Sequence, residues 1–242
     1  MTTIPVNVKD LSVSYDKTKI LDDLSVQITA GEIVGLIGPS GAGKSTFINA
    51  LLGMLKFDSG EIHLFDVKIP NRAIMAKIGF MAQSDALFSE LTGQQNLEFF
   101  GSLQGISKND LADKLAKAAE TVNLTEHLNK KLSAYSGGMK RRLSLAIALQ
   151  TDAPLLLLDE PTVGIDPELR QEIWAELRQQ AQEGKAILVT THVMDEAERC
   201  DEVLLLRDGH FVAEGSPDEL KAQFQVETIE DAFIAAGKKS EQ

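Results

Sequence analysis

The chain carries 24 Lys and Arg against 36 Asp and Glu over 242 residues, a formal net charge of −12, so a polyphosphate backbone is repelled and nucleic acid is not expected as a main partner. Its 43% hydrophobic and 25% charged content suits a soluble, well-packed protein with one large α/β domain or a core with a sizeable insertion. No apolar run approaches the roughly 18 residues needed to cross a bilayer, and a single cysteine, Cys200, excludes an internal disulfide partner and fits a reducing cytoplasm.

Met1 to Asp10 lacks the basic-then-apolar layout of a signal peptide. Residues 4–15 and 24–29 alternate apolar with polar side chains, the pattern of half-buried antiparallel strands. Ile33 to Ile37 is an apolar run that reads as a buried strand. It leads into Gly38-Pro39-Ser40-Gly41-Ala42-Gly43-Lys44-Ser45, a complete phosphate-binding loop, and then into Thr46 to Leu52, whose apolar spacing suits a helix. Glycines let backbone amides approach phosphate oxygens, and the helix N-terminus adds positive potential. Lys44 can reach the β- and γ-phosphates, and the Ser45 hydroxyl suits magnesium. The chain is therefore expected to bind a nucleoside triphosphate.

Glu61 to Phe65 is a further short strand, and Ile78 to Ala82 is a strand that runs into Gln83. Residues 92–130 turn helical, with Leu111, Leu115, Ala118, Ala119 and Val122 at helical spacing, and read as an insertion without strands. Tyr135-Ser136-Gly137-Gly138 then puts a serine and two glycines at the start of a helix over Met139 to Gln150, a second anion nest. That helix carries the one dense basic cluster, Lys140-Arg141-Arg142, which is too small for a nucleic-acid track.

Leu155 to Leu158 is an aliphatic run suited to a strand covered on both faces. Asp159-Glu160 follows at its carboxyl end, where α/β sheets bind ligands. Asp159 is placed to help hold magnesium beside Ser45, and Glu160 to act as general base on the water that attacks the γ-phosphate. Asp166-Pro167 opens the next helix as N-cap and first residue. Ala186 to Thr190 is another strand, and Cys200 falls on a helical segment as a packing residue. Val203 to Arg207 and His210 to Ala213 form a hairpin across Asp208-Gly209. Ser216 to Glu219 is a capping box, and Ile229, Ala232, Phe233 and Ala236 line one face of a last helix.

In this order the motifs resemble those of the ATP-binding cassette (ABC) family, over almost the whole chain. Ser136-Gly137-Gly138 is similar to the family's signature motif, and Val163-Gly164-Ile165-Asp166 to its D-loop. Tyr15 resembles the aromatic residue that stacks on adenine. Gln83 resembles the glutamine that touches magnesium and the attacking water, and His192 the switch histidine that contacts the γ-phosphate. The resemblance implies ATP on Tyr15 and on Gly38 to Thr46, with Mg2+ held by Ser45, Gln83 and Asp159. It implies a catalytic set of Lys44, Gln83, Glu160 and His192. The implied fold is an α/β P-loop NTPase with a mostly parallel, RecA-like sheet. The core and an antiparallel β subdomain take residues 1–83 and 151–242, and a helical signature subdomain takes about 84–150. Two positions depart from the family pattern: Met139 stands where glutamine is frequent, and Val163 where a small or polar residue is common.

In the family, the signature motif of one cassette closes over ATP held by another. One loop and one signature therefore imply a homodimer or a cassette heterodimer. The implied partner is an integral membrane transporter subunit that holds the chain on the cytoplasmic face of the cell membrane. Leu87, Phe88, Phe99 and Phe100 fall where the family docks that partner, although they read equally as the insertion's own core. Gln83 to Leu97, Gly137 to Arg142 and Ile229 to Phe233 look most like cassettes of ABC-2-type exporters. A non-transport ABC ATPase, such as a cofactor-assembly scaffold, would carry the same motifs, and membrane association discriminates the two. A nucleotide-gated interaction module without turnover is disfavoured by the presence of Lys44, Gln83, Asp159, Glu160 and His192.

Overall fold

Alternation near the N-terminus builds two long strands, β1 (Val6–Tyr15) and β2 (Thr18–Ile28), in the computed structural model, which describes residues 3–84 and 86–240. Met1 and Thr2, part of the segment read above for a leader, lie outside the described residues. The sequence pattern starts the second strand at residue 24, but it begins at Thr18. Asp22 and Asp23 interrupt the alternation, Asp23 adopts a φ of 56°, and the register with β1 slips between Val8 and Leu11 and again around Val13. A bulged strand hides its own period. β4 (Ser59–Leu64) pairs with the other edge of β1, and the two-residue β5 (Val67–Lys68) completes a four-stranded sheet of order β2-β1-β4-β5.

Ile33–Ile37 (β3), Leu155–Asp159 (β7) and Ala186–Thr191 (β8) are buried at every position. They lie inside a six-stranded sheet of order β10-β9-β3-β8-β7-β6, completed by β6 (Ile78–Met81), β9 (Glu202–Arg207) and β10 (His210–Gly215). Strands β6, β7, β8, β3 and β9 run parallel, and β10 returns antiparallel to β9. Asp208 and Gly209 make that return at φ values of 49° and 83°, as a tight hairpin turn with two positive φ angles requires. Successive β7 side chains serve opposite faces. Leu155 and Leu157 join Leu36, Phe47, Leu188 and the antiparallel sheet's Leu11 and Ile62, while Leu156 and Leu158 join Ile187, Val189 and the helices of the other side.

Helix α1 (Lys44–Leu51) buries Phe47 and Ile48 on the first face. Helices α2 (Gly93–Leu103), α3 (Lys108–Thr121) and α4 (Gly137–Leu149) put Leu97, Leu115, Ala119 and Leu143 into the second core. The ends of the α2–α3 segment are tied together: Thr92 bridges Lys131, and the Leu132 amide donates to the Leu91 carbonyl at 3.0 Å. Helix α4 starts at Gly137, ahead of the expected Met139, because Ser136 caps it with its hydroxyl. Helix α5 (Pro167–Gln182) starts where expected, its Leu169 amide donating to the Asp166 carboxylate at 3.0 Å. Helices α6 (Met194–Ala197), α7 (Pro217–Phe224) and α8 (Ile229–Ser240) complete the chain. Among the described residues no helix is long and apolar enough to cross a membrane.

One expectation changes: Cys200 sits in the turn after α6, not on a helix. It is buried against Gly35, where a Cβ would come within 2.8 Å of the sulfur, and burial pushes its thiol up to about 12. Within the short Lys140-Arg141-Arg142 run, Arg141 turns inward and Arg142 donates to the Val122 and Asn123 carbonyls at 3.2 and 3.0 Å.

Candidate nucleotide-binding site

Four chemically distinctive loops leave the carboxyl ends of parallel strands, the edge at which such sheets bind ligands. The phosphate loop follows β3, Gln83 follows β6, Asp159-Glu160 ends β7, and His192 follows β8. Because β8 lies between β3 and β7, loops far apart in sequence converge. One cleft is lined by Tyr15, Ser40, Gly41, Gly43, Lys44, Ser45, Thr46, Gln83 and Glu160.

The phosphate loop is held from both sides. Gly43 takes a φ of 105°, which an L side chain rarely adopts, and a Cβ on Gly38 would come within 2.3 Å of the Leu206 carbonyl oxygen. Lys44 is 6% exposed, and its ammonium donates to the Gly38 and Pro39 carbonyls at 2.8 and 3.0 Å. Burial moves the Lys44 ammonium below the ordinary lysine range, opposed by the negative charge of Glu160 and Asp159. Pro39, Ser40 and Gly41 are exposed, and Ala42 is buried. Tyr15 ends β1 beside the Asp16-Lys17 turn, with 49% of its surface exposed; that much exposure argues against a packing role.

The acidic pair is tightly constrained. Thr190 is fully buried; its hydroxyl donates to Asp159 Oδ1 and accepts from the Glu160 amide at 3.0 Å. Glu160 holds a φ of 54°, uncommon for a residue other than glycine and a mark of a locally over-determined backbone. Its Oε1 lies 3.0 Å from His192 Nδ1. A carboxylate only accepts, so the imidazole donates there from Nδ1. Among the described residues no cluster of three or more His, Cys, Asp or Glu side chains could hold a metal. Ser45 and Asp159 offer hard oxygen donors, which suits a magnesium ion bound chiefly by phosphates.

Of the residues expected around the nucleotide, Gly38, Pro39, Ala42, Asp159 and His192 do not themselves line this cleft. Ser136, Gly137 and Gly138, expected to serve another cassette, are also absent from its lining. Ser136 caps α4 by accepting from the Met139 amide at 3.2 Å, and Gly138 lies beside the Gly164 carbonyl, 3.6 Å from a Cβ built there. Asp166 is occupied as the N-cap of α5. Two contributors, and one buried acid outside the cleft, escaped the sequence reading. Thr190 left a signal, a polar residue at the end of an aliphatic strand. Arg141 left one too, a charge on the buried face of α4 with Leu145 and Ala148. Glu196, 2% exposed, accepts from the Thr162 hydroxyl and lies 3.8 Å from Arg170 Nε, an assembly that nothing local in the sequence reveals.

A family model described as ABC transporter matches residues 21–163. The Nod factor export ATP-binding protein I of Rhizobium meliloti (strain 1021) is 43% identical over 221 residues, covering 90% of this chain and 66% of that protein, so the chain spans about two thirds of that relative. The protein of the same name from Bradyrhizobium diazoefficiens is 42% identical over 223 residues, 91% of this chain and 73% of that one. Among solved structures, an ATP binding subunit of an ABC transporter superposes with a TM-score of 0.90 at 28% identity, over 97% of this chain and 100% of the other. A dimeric ATP-binding cassette in a post-hydrolysis state with ADP and Pi superposes with a TM-score of 0.80 at 27% identity, over 87% of this chain and 98% of the other.

Proposed function

The chain belongs to the ABC transporter family, and from that premise we propose that it is the ATP-hydrolysing subunit of an exporter, driving a separate transmembrane subunit through ATP-dependent closure of two cassettes. The observation that carries the reading is the cleft in which Tyr15, the phosphate loop, Gln83 and Glu160 meet while the Ser136 nest stays outside it. A nest left over by one chain is supplied to another.

Adenine stacks on Tyr15, and the loop amides with Lys44 take the phosphates. Ser45, Asp159 and Gln83 would hold magnesium, which supplies neutralisation of phosphate charge. Glu160 accepts the proton of the attacking water, with its carboxylate oriented by the His192 imidazole at 3.0 Å. Ser136 and the α4 N-terminus of the opposing cassette complete the phosphate shell. Hydrolysis removes that bridge, and the pair reopens.

A membrane subunit docks in the apolar groove lined by Met54, Phe80, Leu87, Phe100 and Leu103. Met54 and Leu103 are 64% and 72% exposed, apolar surface that a partner would cover. The chain thereby sits at the cytoplasmic face of the membrane. The export direction rests on the names of the Nod factor export relatives.

Two variants test the reading. Glu160→Gln should keep ATP affinity and hydrolyse at least about a hundredfold more slowly, the scale of a lost general base; near-normal turnover would remove Glu160 from its role. Lys44→Ala should weaken ATP binding by titration calorimetry, and unchanged affinity would count against the loop.

A further inference from the structure

We propose that Arg141 is a positioning residue for hydrolysis: its guanidinium clamps the Gln83 loop to the Asp159-Glu160 strand end and so sets where the glutamine and the base stand. The inference rests on the roles given above to Gln83 and Glu160.

The ladder between β6 and β7 runs from Ile78 opposite Leu155 to Met81 opposite Leu158. Immediately beyond it, Arg141 takes over. One terminal nitrogen donates to the Ala82 and Gln83 carbonyls at 2.8 Å each, and the other donates to the Glu160 carbonyl at 2.8 Å and to the Asp159 carbonyl. A planar fork of donors spans two strand ends at once. A lysine ammonium has three donors on one point and cannot spread across both.

Arg141 is 9% exposed, and a buried guanidinium needs such acceptors. Its contact with the Glu160 carbonyl, together with the Thr190 contact to the Glu160 amide, grips the two peptide groups that flank the residue whose φ is 54°. Releasing one grip lets that backbone relax and moves the carboxylate. Arg141 does not line the cleft around the phosphate loop, so ATP binding is spared and turnover is not. It also sits on α4, the helix that Ser136 caps, so a displacement of the signature nest is felt at both Gln83 and Glu160.

The test measures ATP turnover and ATP affinity of the full chain, with its membrane subunit if turnover requires one. Wild type is compared with Arg141→Lys, Arg141→Gln, Glu160→Gln and the Arg141→Lys/Glu160→Gln pair. Folded Arg141 variants should lose roughly ten- to a hundredfold in kcat, the scale of an ångström-level misplacement, with KM and affinity within about threefold. In the Glu160→Gln background Arg141→Lys should cost several-fold less than in wild type, because one of the two groups it positions, the base, is gone while Gln83 remains. Unchanged kcat, a raised KM with intact kcat, or equal losses in both backgrounds would overturn the clamp. If Arg141→Lys does not fold, Arg141→Gln and its own pair with Glu160→Gln carry the same comparison. A wild type without turnover sinks the hydrolytic reading and the clamp with it. Full-rate Arg141 variants beside a slow Glu160→Gln sink the clamp alone.

Discussion

The helix starts at α1 and α4 both carry glycines, but the surroundings of those glycines differ. At α1 a Cβ on Gly38 would come within 2.3 Å of a backbone oxygen, and one on Gly43 within 2.6 Å of the Leu21 side chain. The chain's own packing explains both residues. At α4 a Cβ on Gly137 would meet nothing within 4 Å, and one on Gly138 only the Gly164 oxygen at 3.6 Å. Gly137 opens the helix directly after its Ser136 cap, and no neighbour inside one copy requires a residue without a side chain there. The first nest is a closed cradle that serves its own chain. The second is an open face whose glycines make sense against a ligand held elsewhere.

Breaking the closed cradle should have the largest effect. Gly38→Ala forces a shift of the Leu206 backbone, an overpacking of about 1–3 kcal/mol, and should lower the melting temperature and abolish ATP binding by calorimetry. Wild-type affinity in that variant would remove the contrast. Gly137→Ala sharpens the comparison from the other side. It should leave stability unchanged or raise it by up to about 1 kcal/mol and leave ATP affinity alone. Turnover should fall about tenfold or more, as when one preorganised donor face is obstructed. Full turnover would show that the open nest meets no phosphate.

The smallest effect is expected beneath β3, the strand that feeds the closed cradle. Thiolate is the reactive form, and Cys200 is buried with its thiol pushed up to about 12. Iodoacetamide at pH 8 should therefore not label it within hours, with or without ATP. Rapid labelling would mean that the core under Gly35 opens and that the cradle's foundation is loose.

The contrast also marks what a sequence can disclose. Leu155–Leu158, the phosphate loop and Asp166-Pro167 are local statements, and each stands where its pattern places it. β2 escaped in part because two adjacent aspartates and a slipping register erase its alternation. β5 is two residues long and has no period to read. The Cys200 turn follows a helix of only four residues, shorter than any amphipathic signal. Within the site, motif residues were legible because phosphate chemistry demands fixed types at fixed spacing. Thr190 and Arg141 left only a faint mark, a polar or charged residue on a buried face, because their meaning lies in contacts with Asp159, Glu160 and Gln83 that only the strand order creates. The membership of Tyr15 in the cleft likewise depends on a second sheet meeting the first.

The open nest is tested most directly by light scattering on Glu160→Gln with magnesium and ATP. The expected result is a doubled mass that reverts to a single copy in the Glu160→Gln/Gly137→Ala pair while ATP stays bound. A chain that binds ATP yet remains single, both alone and beside its membrane subunit, would contradict the shared pocket.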